Sequence, residues 1–548
     1  MNRKFLIIIF AVFFIINCAK NNPKRNKDLL TIGIRNEPEN LMPLFPLNNI
    51  SRDINAVIFN HLLAMNEDLQ SFSPELARSY QFGKDSLAIT FHLRTDVYWH
   101  DGKKFTADDV AFTYRLQTNE KVAWDGISFK QNIDTVRALN DSTVLFEFSK
   151  KTPFMLMDAV EGVILPKHIL ESTPPSALFN SAFAHSPVGT GPYQLYDWIP
   201  QQYIVMKKNP QYFKPGKPNF STLLFKIIPE PYVLTQQLLT GEIDIINDMP
   251  PETINNNIGQ DSIVTLSYSG KDYDFIGWNL VDEQSFRQYR DSIPKAPGKI
   301  IPKIAPHPLF GNREVRKALS LVMDKQKICQ QMNCNLLDPI NAPHILFQDF
   351  ATKETAGFPE NNSRRAQKLL IEQGWKDSDG NGILEKNGKE FVFTMYTNAG
   401  NNFRKQILMI LEQEFRKLKI KMIPKIVEAN YLVSDIIPNK KFDAVLIGWN
   451  AGIKPDFTAL FHSSQYLHPF HLTGYYSKEF DRQNERLLNA GNINEYQSHL
   501  SQIINILTHD QPYTWLFSRK KIFLHHQRVK NVNISILSTM KYVEDFKF

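Results

Sequence analysis

PELARSYQFGKDSLAITFHLRTDVYWHDGKKFTADDVAFTYRL, residues 74–116, is the stretch whose reading decides the fold. Leu87, Ile89, Phe91 and Leu93 alternate with polar residues, the period of a half-buried strand. Asp101-Gly102 is a turn dipeptide. Thr106 then stands as an N-cap before Ala107-Asp108-Asp109, whose carboxylates suit the positive end of a helix carrying Val110, Phe112 and Leu116. The unit is predicted to be strand, turn and capped helix, and it contains no catalytic constellation.

Around that unit lies a chain of 548 residues, enough for two large lobes or three to four domains. Its composition is globular, 43% hydrophobic and 22% charged, with 32 prolines, as in a loop-rich α/β protein. The net charge of +7 becomes +5 once Arg3 and Lys4 are removed, because residues 1–17 hold no acid. Basic residues are spread along the chain, which argues against a nucleic-acid partner.

The N-terminus reads as an export signal. Arg3-Lys4 precede an apolar run, Phe5 to Ile16, too short for a comfortable bilayer span of ~20 residues. The run stops at Asn17-Cys18, followed by a polar tether, Ala19 to Lys27. A single cysteine at that point reads as a lipobox, with cleavage before Cys18 and a diacylglycerol on its thiol. Asn17 stands where a small residue is usual. Of the other two cysteines, Cys329 and Cys334, the spacing permits a small-loop disulfide or two thiols, with the disulfide the preferred reading. Two cysteines alone make no metal site.

The 74–116 string resembles the signature of the family 5 extracellular solute-binding proteins, the peptide and nickel receptors of bacterial ABC importers. Two further blocks share that resemblance: SPVGTGPYQLYDWIPQQYIVMKKNPQYF from Ser186, continuing through LLTGEIDIINDMPPE to Glu252, and HPLFGNREVRKALSLVMDKQKI at 307–328. The resemblance implies an α/β, two-lobed periplasmic-binding-protein type II fold with an extra inserted domain in the first lobe. On that basis residues 1–17 are the signal peptide and 18–28 the lipidated tether. Lobe I is expected from 29–70, 188–280 and 508–548, the inserted domain from 71–187, and lobe II from 281–507.

The remaining elements read locally. Strands are expected at Leu29–Ile34, Thr143–Phe148 and Phe391–Tyr396, and in KMIPKIV and DAVLIGW. Asn312 caps one helix; Ser363 caps another that stops at Gly374; Phe403 to Leu418 repeats at helical spacing. Residues 281–304, charged and without period, read as an exposed loop insertion. Strands alternating with helices of this length indicate partly parallel α/β lobes.

Several motifs invite a chemical reading. DSDGNG at 377–382 opens like a calcium loop, but Gly388 takes the twelfth place where a glutamate belongs, so a plain turn is the reading. His462, His468 and His471 lie close in sequence without an acid or cysteine at ligand spacing, and read as solvated or pocket-mouth residues. His525-His526 on a strand point to opposite faces. GTG at 189–191 lacks the Lys-Ser/Thr of a phosphate loop. Neither a metal nor a cofactor is expected, and no catalytic residues are assigned.

Ligand residues come from the resemblance. In peptide-binding relatives the segment after the residue matching Trp449 runs along the ligand main chain, and an aspartate three places on pairs with the α-ammonium group. Here that place is Gly452. Trp449, Asn450, Ala451 and Gly452 are therefore candidates, with Glu37 as a replacement carboxylate. Trp278 and Asn279 near the crossover, and Asn398, Ala399 and Gly400 after the Phe391–Tyr396 strand, complete the set. A core role for Trp449 has equal standing. The expected function is capture without catalysis by an extracytoplasmic, membrane-anchored monomer. It would deliver peptides to an ABC permease and its ATPase, with a nickel chelate, sugar or other small solute as alternative ligands. An exported hydrolase and a ligand-sensing receptor are the rivals of other classes.

Overall fold

The computed structural model describes residues 26–46, 48–249, 262–292, 304–332, 336–342, 362–454 and 456–548. Cys18 and Cys334, and with them the lipidation and disulfide readings, lie outside these residues. Among the described residues no helix is long and apolar enough to cross a membrane.

The opening stretch folds as it reads. Ala88–Leu93 is a strand with Ile89, Phe91 and Leu93 buried, Gly102 takes a positive φ of 83°, and a helix runs Ala107–Gln117. Asp109 reaches back to the Thr106 N–H at 2.9 Å and also accepts from the Lys167 N–H at 2.9 Å. One buried carboxylate thus closes the helix start and fixes a neighbouring segment. The strand belongs to a four-stranded antiparallel sheet, Ala77–Phe82, Ala88–Leu93, Thr143–Phe148 and Ile133–Asn140. Trp99, Phe91 and Phe146 anchor its own core. The opposite side of the helix, through Phe112 and Leu116, packs into the core of the N-terminal strand.

A large mixed sheet carries most of the other strands among the described residues, with the hairpins Leu63–Met65/Phe72–Pro74 and Glu385–Lys386/Lys389–Glu390 standing apart. In the first lobe, Leu29–Ile34 pairs in parallel with Thr222–Ile227 and Ile245–Met249. In the second, Val392–Asn398 pairs in parallel with Lys421–Val427 and Ala444–Asn450. Two long antiparallel strands, Ile263–Trp278 and Tyr513–His526, run through both halves. Tyr273, Phe275, Tyr513 and Trp515 pack in one second-lobe core, and Ile276, Trp278 and Phe517 in another. Both strands therefore carry residues of the second-lobe cores at one end. In the first lobe Leu30, Ile54, Phe225, Val529, Met540 and Phe546 share one core, so the two ends of the described chain meet there.

Three local expectations change. Asn362, not Ser363, is the N-cap, its Oδ1 accepting from the Arg365 N–H at 3.0 Å. The 281–304 region holds a helix, Glu283–Ser292, seated by Phe286 against Val281 and Tyr466. The three loop histidines part company, because His471 is fully buried against Tyr466 while His468 stays near the surface. Burial lowers the His471 imidazole to about 3, keeping it neutral.

Candidate functional site

The chain crosses between lobes at a break in the ladder. Pairing of the two long strands slips between Ser269 and Tyr273, leaving Gly270, Lys271 and Asp272 as a bulge. A bulge bends its strand and re-aims side chains. Here it turns Lys271 and Asp272 into a small open pocket of about 50 Å³ between the lobes. The first-lobe wall is the helix Asn49–Ile58, bringing Arg52 and Asp53, and the loop 535–539. Buried Asp53 ties that loop down, accepting from Ser538 Oγ at 2.7 Å, Thr539 Oγ1 at 3.0 Å and Asn247 Nδ2 at 3.0 Å. From the second lobe comes Asn450, whose Nδ2 donates to Asp272 Oδ1 at 2.5 Å. Lys521 Nζ lies 3.5 Å from Asp272 Oδ2. Burial pulls the Lys271 pKa down, and the neighbouring Arg52 charge adds to this. An ammonium held so is stabilised by any anion that enters.

Beside this floor, the C-terminal ends of the second-lobe strands carry a second charge cluster. Asp274 is fully buried between Arg404 Nε at 2.7 Å and Arg519 Nε at 3.0 Å, and Arg404 Nη1 donates to Asn398 Oδ1 at 2.8 Å. Gly448 makes this possible. A Cβ there would lie 2.8 Å from Asp274 Oδ1 and closer still to the Arg404 guanidinium. Two guanidiniums on one carboxylate leave the cluster net positive.

The loop after Trp449 crosses to the inserted sheet region. Lys454 Nζ sits 2.9 Å from Asp158 Oδ1, and Asp158 is fully buried. Lys454 also lies over the rings of Phe129 and Phe154, at 5.8 and 5.5 Å. Phe154 meets Tyr496 edge-on at 4.6 Å, and Lys150 Nζ donates to Asn489 Oδ1 at 2.8 Å. Burial pushes the Asp158 carboxyl up against the pull of Lys454. Lys130, lowered by its own burial to about 8, donates to the backbone carbonyls of Asp158 and Glu161, both at 2.8 Å. The two halves are thus closed on each other through a desolvated ion pair.

The residues expected at the ligand divide into two groups. Asn450 lines the pocket, with exposed Gly452 two places on and Ala451 buried, its N–H bonded to the Lys271 carbonyl at 2.9 Å. Trp449 is half-buried, its ring edge-on to Phe470 at 5.0 Å. Asn398 leans on Arg404, with Ala399 and Gly400 exposed beyond it. The others are committed elsewhere. Trp278 is fully buried, its indole N–H donating to Thr514 Oγ1 at 2.9 Å and its ring against Phe310. Asn279, also buried, donates to the carbonyls of Lys440 and Phe442. Both are core residues here, not cleft walls. Glu37 accepts from the Trp198 indole at 2.8 Å and the Gln201 N–H at 3.0 Å, so its carboxylate is occupied within the first lobe. Reasoning from sequence missed Asp272, Lys271, Arg404 and Lys454. The Gly-Lys-Asp at 270–272, interrupting an alternating strand, is the one signal that marks the bulge.

GTG at 189–191 is a packing device. Cβ atoms at Gly189 and Gly191 would collide with the Ile58 carbonyl region, and the Gly191 N–H donates to the Ile58 oxygen at 2.8 Å. His100 clasps the same turn, Nδ1 accepting from the Gly189 N–H and Nε2 facing the Gly191 carbonyl, each at 3.1 Å. Burial lowers its pKa to about 4, so the neutral ring carries its proton on Nε2. Among the described residues no histidine joins two further ligands with converging atoms.

Two α/β lobes joined by a pair of strands, a charged pocket over the crossover, and contacts locking the lobes together define a binding protein that holds a ligand between lobes. The chain belongs to the bacterial extracellular solute-binding proteins, family 5, whose model matches residues 71–466. It is 30% identical to the oligopeptide-binding protein AppA of Bacillus subtilis over 507 residues, 91% of this chain and 87% of that one. The solved structure of Bacillus subtilis AppA with a nonapeptide superposes with a TM-score of 0.73 at 28% identity, covering 94% of this chain and 98% of that one. NikZ of Campylobacter jejuni, solved with Ni(L-His), gives a TM-score of 0.75 at 25% identity over 95% and 100% of the two chains.

Proposed function

We propose that this protein is the substrate-binding component of an ABC importer. It captures peptides between its lobes outside the cytoplasm, passes them to a membrane permease, and performs no chemistry on them. The observation that carries the reading is the crossover pocket, which offers a carboxylate and bases together: Asp272 beside Lys271, Lys521 and Arg52. A free peptide carries one charge of each sign at its ends, and such paired groups recognise it without reading its side chains. Full-length likeness to oligopeptide-binding AppA supports the same ligand class.

In this reading Asp272 takes the ammonium-pairing role that Gly452 cannot fill, and Asn450 orients it. Lipid on Cys18 keeps a monomeric receptor at the membrane face. A nickel chelate, as in NikZ solved with Ni(L-His), is the alternative ligand. The deciding experiment is mass spectrometry of ligands released by denaturing protein purified from its own host. A heterogeneous set of short peptides is expected; one non-peptide species would overturn the reading. Asp272→Asn is expected to lose affinity for peptides with a free amino terminus while N-acetylated peptides are unaffected.

A further inference from the structure

A pocket of about 20 Å³ lies in the second lobe, where the helix Ile493–Asp510 ends and the long strand Tyr513–His526 begins. Four side chains of its wall each carry a polar atom that is shut off from solvent and has no hydrogen-bond partner among the described residues: Thr508 Oγ1, Gln511 Oε1, Tyr513 OH and Trp515 Nε1. Gln511, Tyr513 and Trp515 are 3%, 1% and 3% exposed, so bulk solvent does not serve them. Other polar groups of the wall are already in use. Lys325 Nζ donates to the Ile340 carbonyl at 2.6 Å and to Asn341 Oδ1, and Ser320 Oγ shares a hydrogen with Thr514 Oγ1 at 2.6 Å. The Gln511 backbone is committed too, its carbonyl accepting from Arg316 Nε and its N–H donating to the Leu507 carbonyl, both at 2.9 Å.

Each buried polar atom left unpaired costs free energy, and four around one pocket need a common partner. We infer that this pocket is a built site for one internal water molecule, which bridges the helix end to the strand. Volume sets the size of the ligand. A water needs roughly 10–15 Å³ of such space, so a pocket of about 20 Å³ admits one and excludes an organic molecule. Donor chemistry sets its kind. The indole N–H only donates, the amide oxygen only accepts, and the two hydroxyls do either. Water, with two hydrogens and two lone pairs, answers all four. A cation would meet the indole N–H and the Lys325 ammonium, and an anion would face the Gln511 oxygen. Tyr513 also stacks on Phe275 of the other long strand at 4.1 Å. The bridge therefore seats both interlobe strands in the second lobe, and its wall shares no residue with the crossover pocket.

The test uses the whole mature protein. Tyr513→Phe and Thr508→Val each remove one hydroxyl at nearly constant volume. A dry, unpaired hydroxyl is better replaced by an apolar group, whereas loss of a hydrated one leaves the water short of a partner. Each variant is therefore expected to lower the melting temperature of the second lobe by about 2–4 °C. A rise or no change in either variant would overturn the proposal. High-resolution crystallography gives the direct reading. The parent should show one isolated peak within about 3.2 Å of both Tyr513 OH and Trp515 Nε1, refining as water, and Tyr513→Phe should weaken or displace it. Absence of the peak in the parent, or a peak that refines only as an ion, would sink the water site.

Discussion

Gly452 stands where the family resemblance leads one to expect a carboxylate, and there is room to place one. Among the described residues a Cβ added there meets just the Lys454 carbonyl oxygen, at 3.5 Å. Gly452→Asp is expected to fold normally and to tighten free-amino peptides about tenfold, ~1.4 kcal/mol. Calorimetry with free and N-acetylated versions of one peptide checks this; equal gains for both would place the amino terminus elsewhere. His100 gives a second single-residue test. Its folded pKa of about 4 lies below an unfolded value of about 6.5, so below that value the unfolded chain takes up a proton the folded one refuses. Stability contributed by His100 is present at neutral pH and is lost as pH falls from about 6.5 towards 4. His100→Asn keeps an acceptor for the Gly189 N–H and should flatten the melting temperature against pH in that window. An unchanged slope would assign the acid sensitivity to other groups. At this scale the sequence was only partly legible. Resemblance led to Asn450 and Gly452, yet it could not tell that Trp278 faces Phe310 inside a core. Nor could it tell that Glu37 is taken by Trp198, 161 residues further on.

Elements were far more legible, because their signals are local. Alternation and caps located the strands Leu29–Ile34 and Thr143–Phe148 to the residue. The helix Glu283–Ser292 escaped because Phe286 is its single buried residue, and a helix with one apolar anchor has no readable period. Contacts between elements were not legible at all. The loop after Trp449 and the helix Met155–Val160 are joined by Lys454 and Asp158, 296 positions apart. Removing one partner of a buried pair costs about 3–5 kcal/mol, because the other charge stays desolvated. That cost falls on the closed arrangement, where the pair forms. Lys454→Met should therefore weaken peptide affinity by tenfold or more, while ligand-free unfolding barely changes. Small-angle scattering should show this variant more extended than the parent at equal peptide concentration. If scattering and affinity both match the parent, the contact does not hold the lobes together.

Among the described residues the two long strands connect the lobes, and their bulge interrupts the ladder between Ser269 and Tyr273. Hinge motion about it would open and close the pocket while each lobe keeps its own core. The type II architecture was legible through the three blocks of resemblance. The break in the ladder was not, since a long strand reads alike on either side of a hinge. A deletion of residues 529–548 tests how the first lobe depends on its far end. The truncated protein is expected to lose both peptide binding and resistance to limited proteolysis in residues 26–249, with the second lobe still protected. Intact protection of the first lobe would show its core to be self-sufficient.

That shared core has a bearing on biogenesis. Leu30 and Phe546 belong to one packed cluster, and Asp53 near the start is satisfied by Ser538 and Thr539 near the end. While the chain emerges from the ribosome, the first lobe lacks its last strand and its sealing segment until synthesis is nearly complete. An exported protein gains from this timing, because a translocon that threads unfolded polypeptide meets no finished lobe to unravel. The order of residues along the chain thus leaves the core of the first lobe unfinished until the last residues are made.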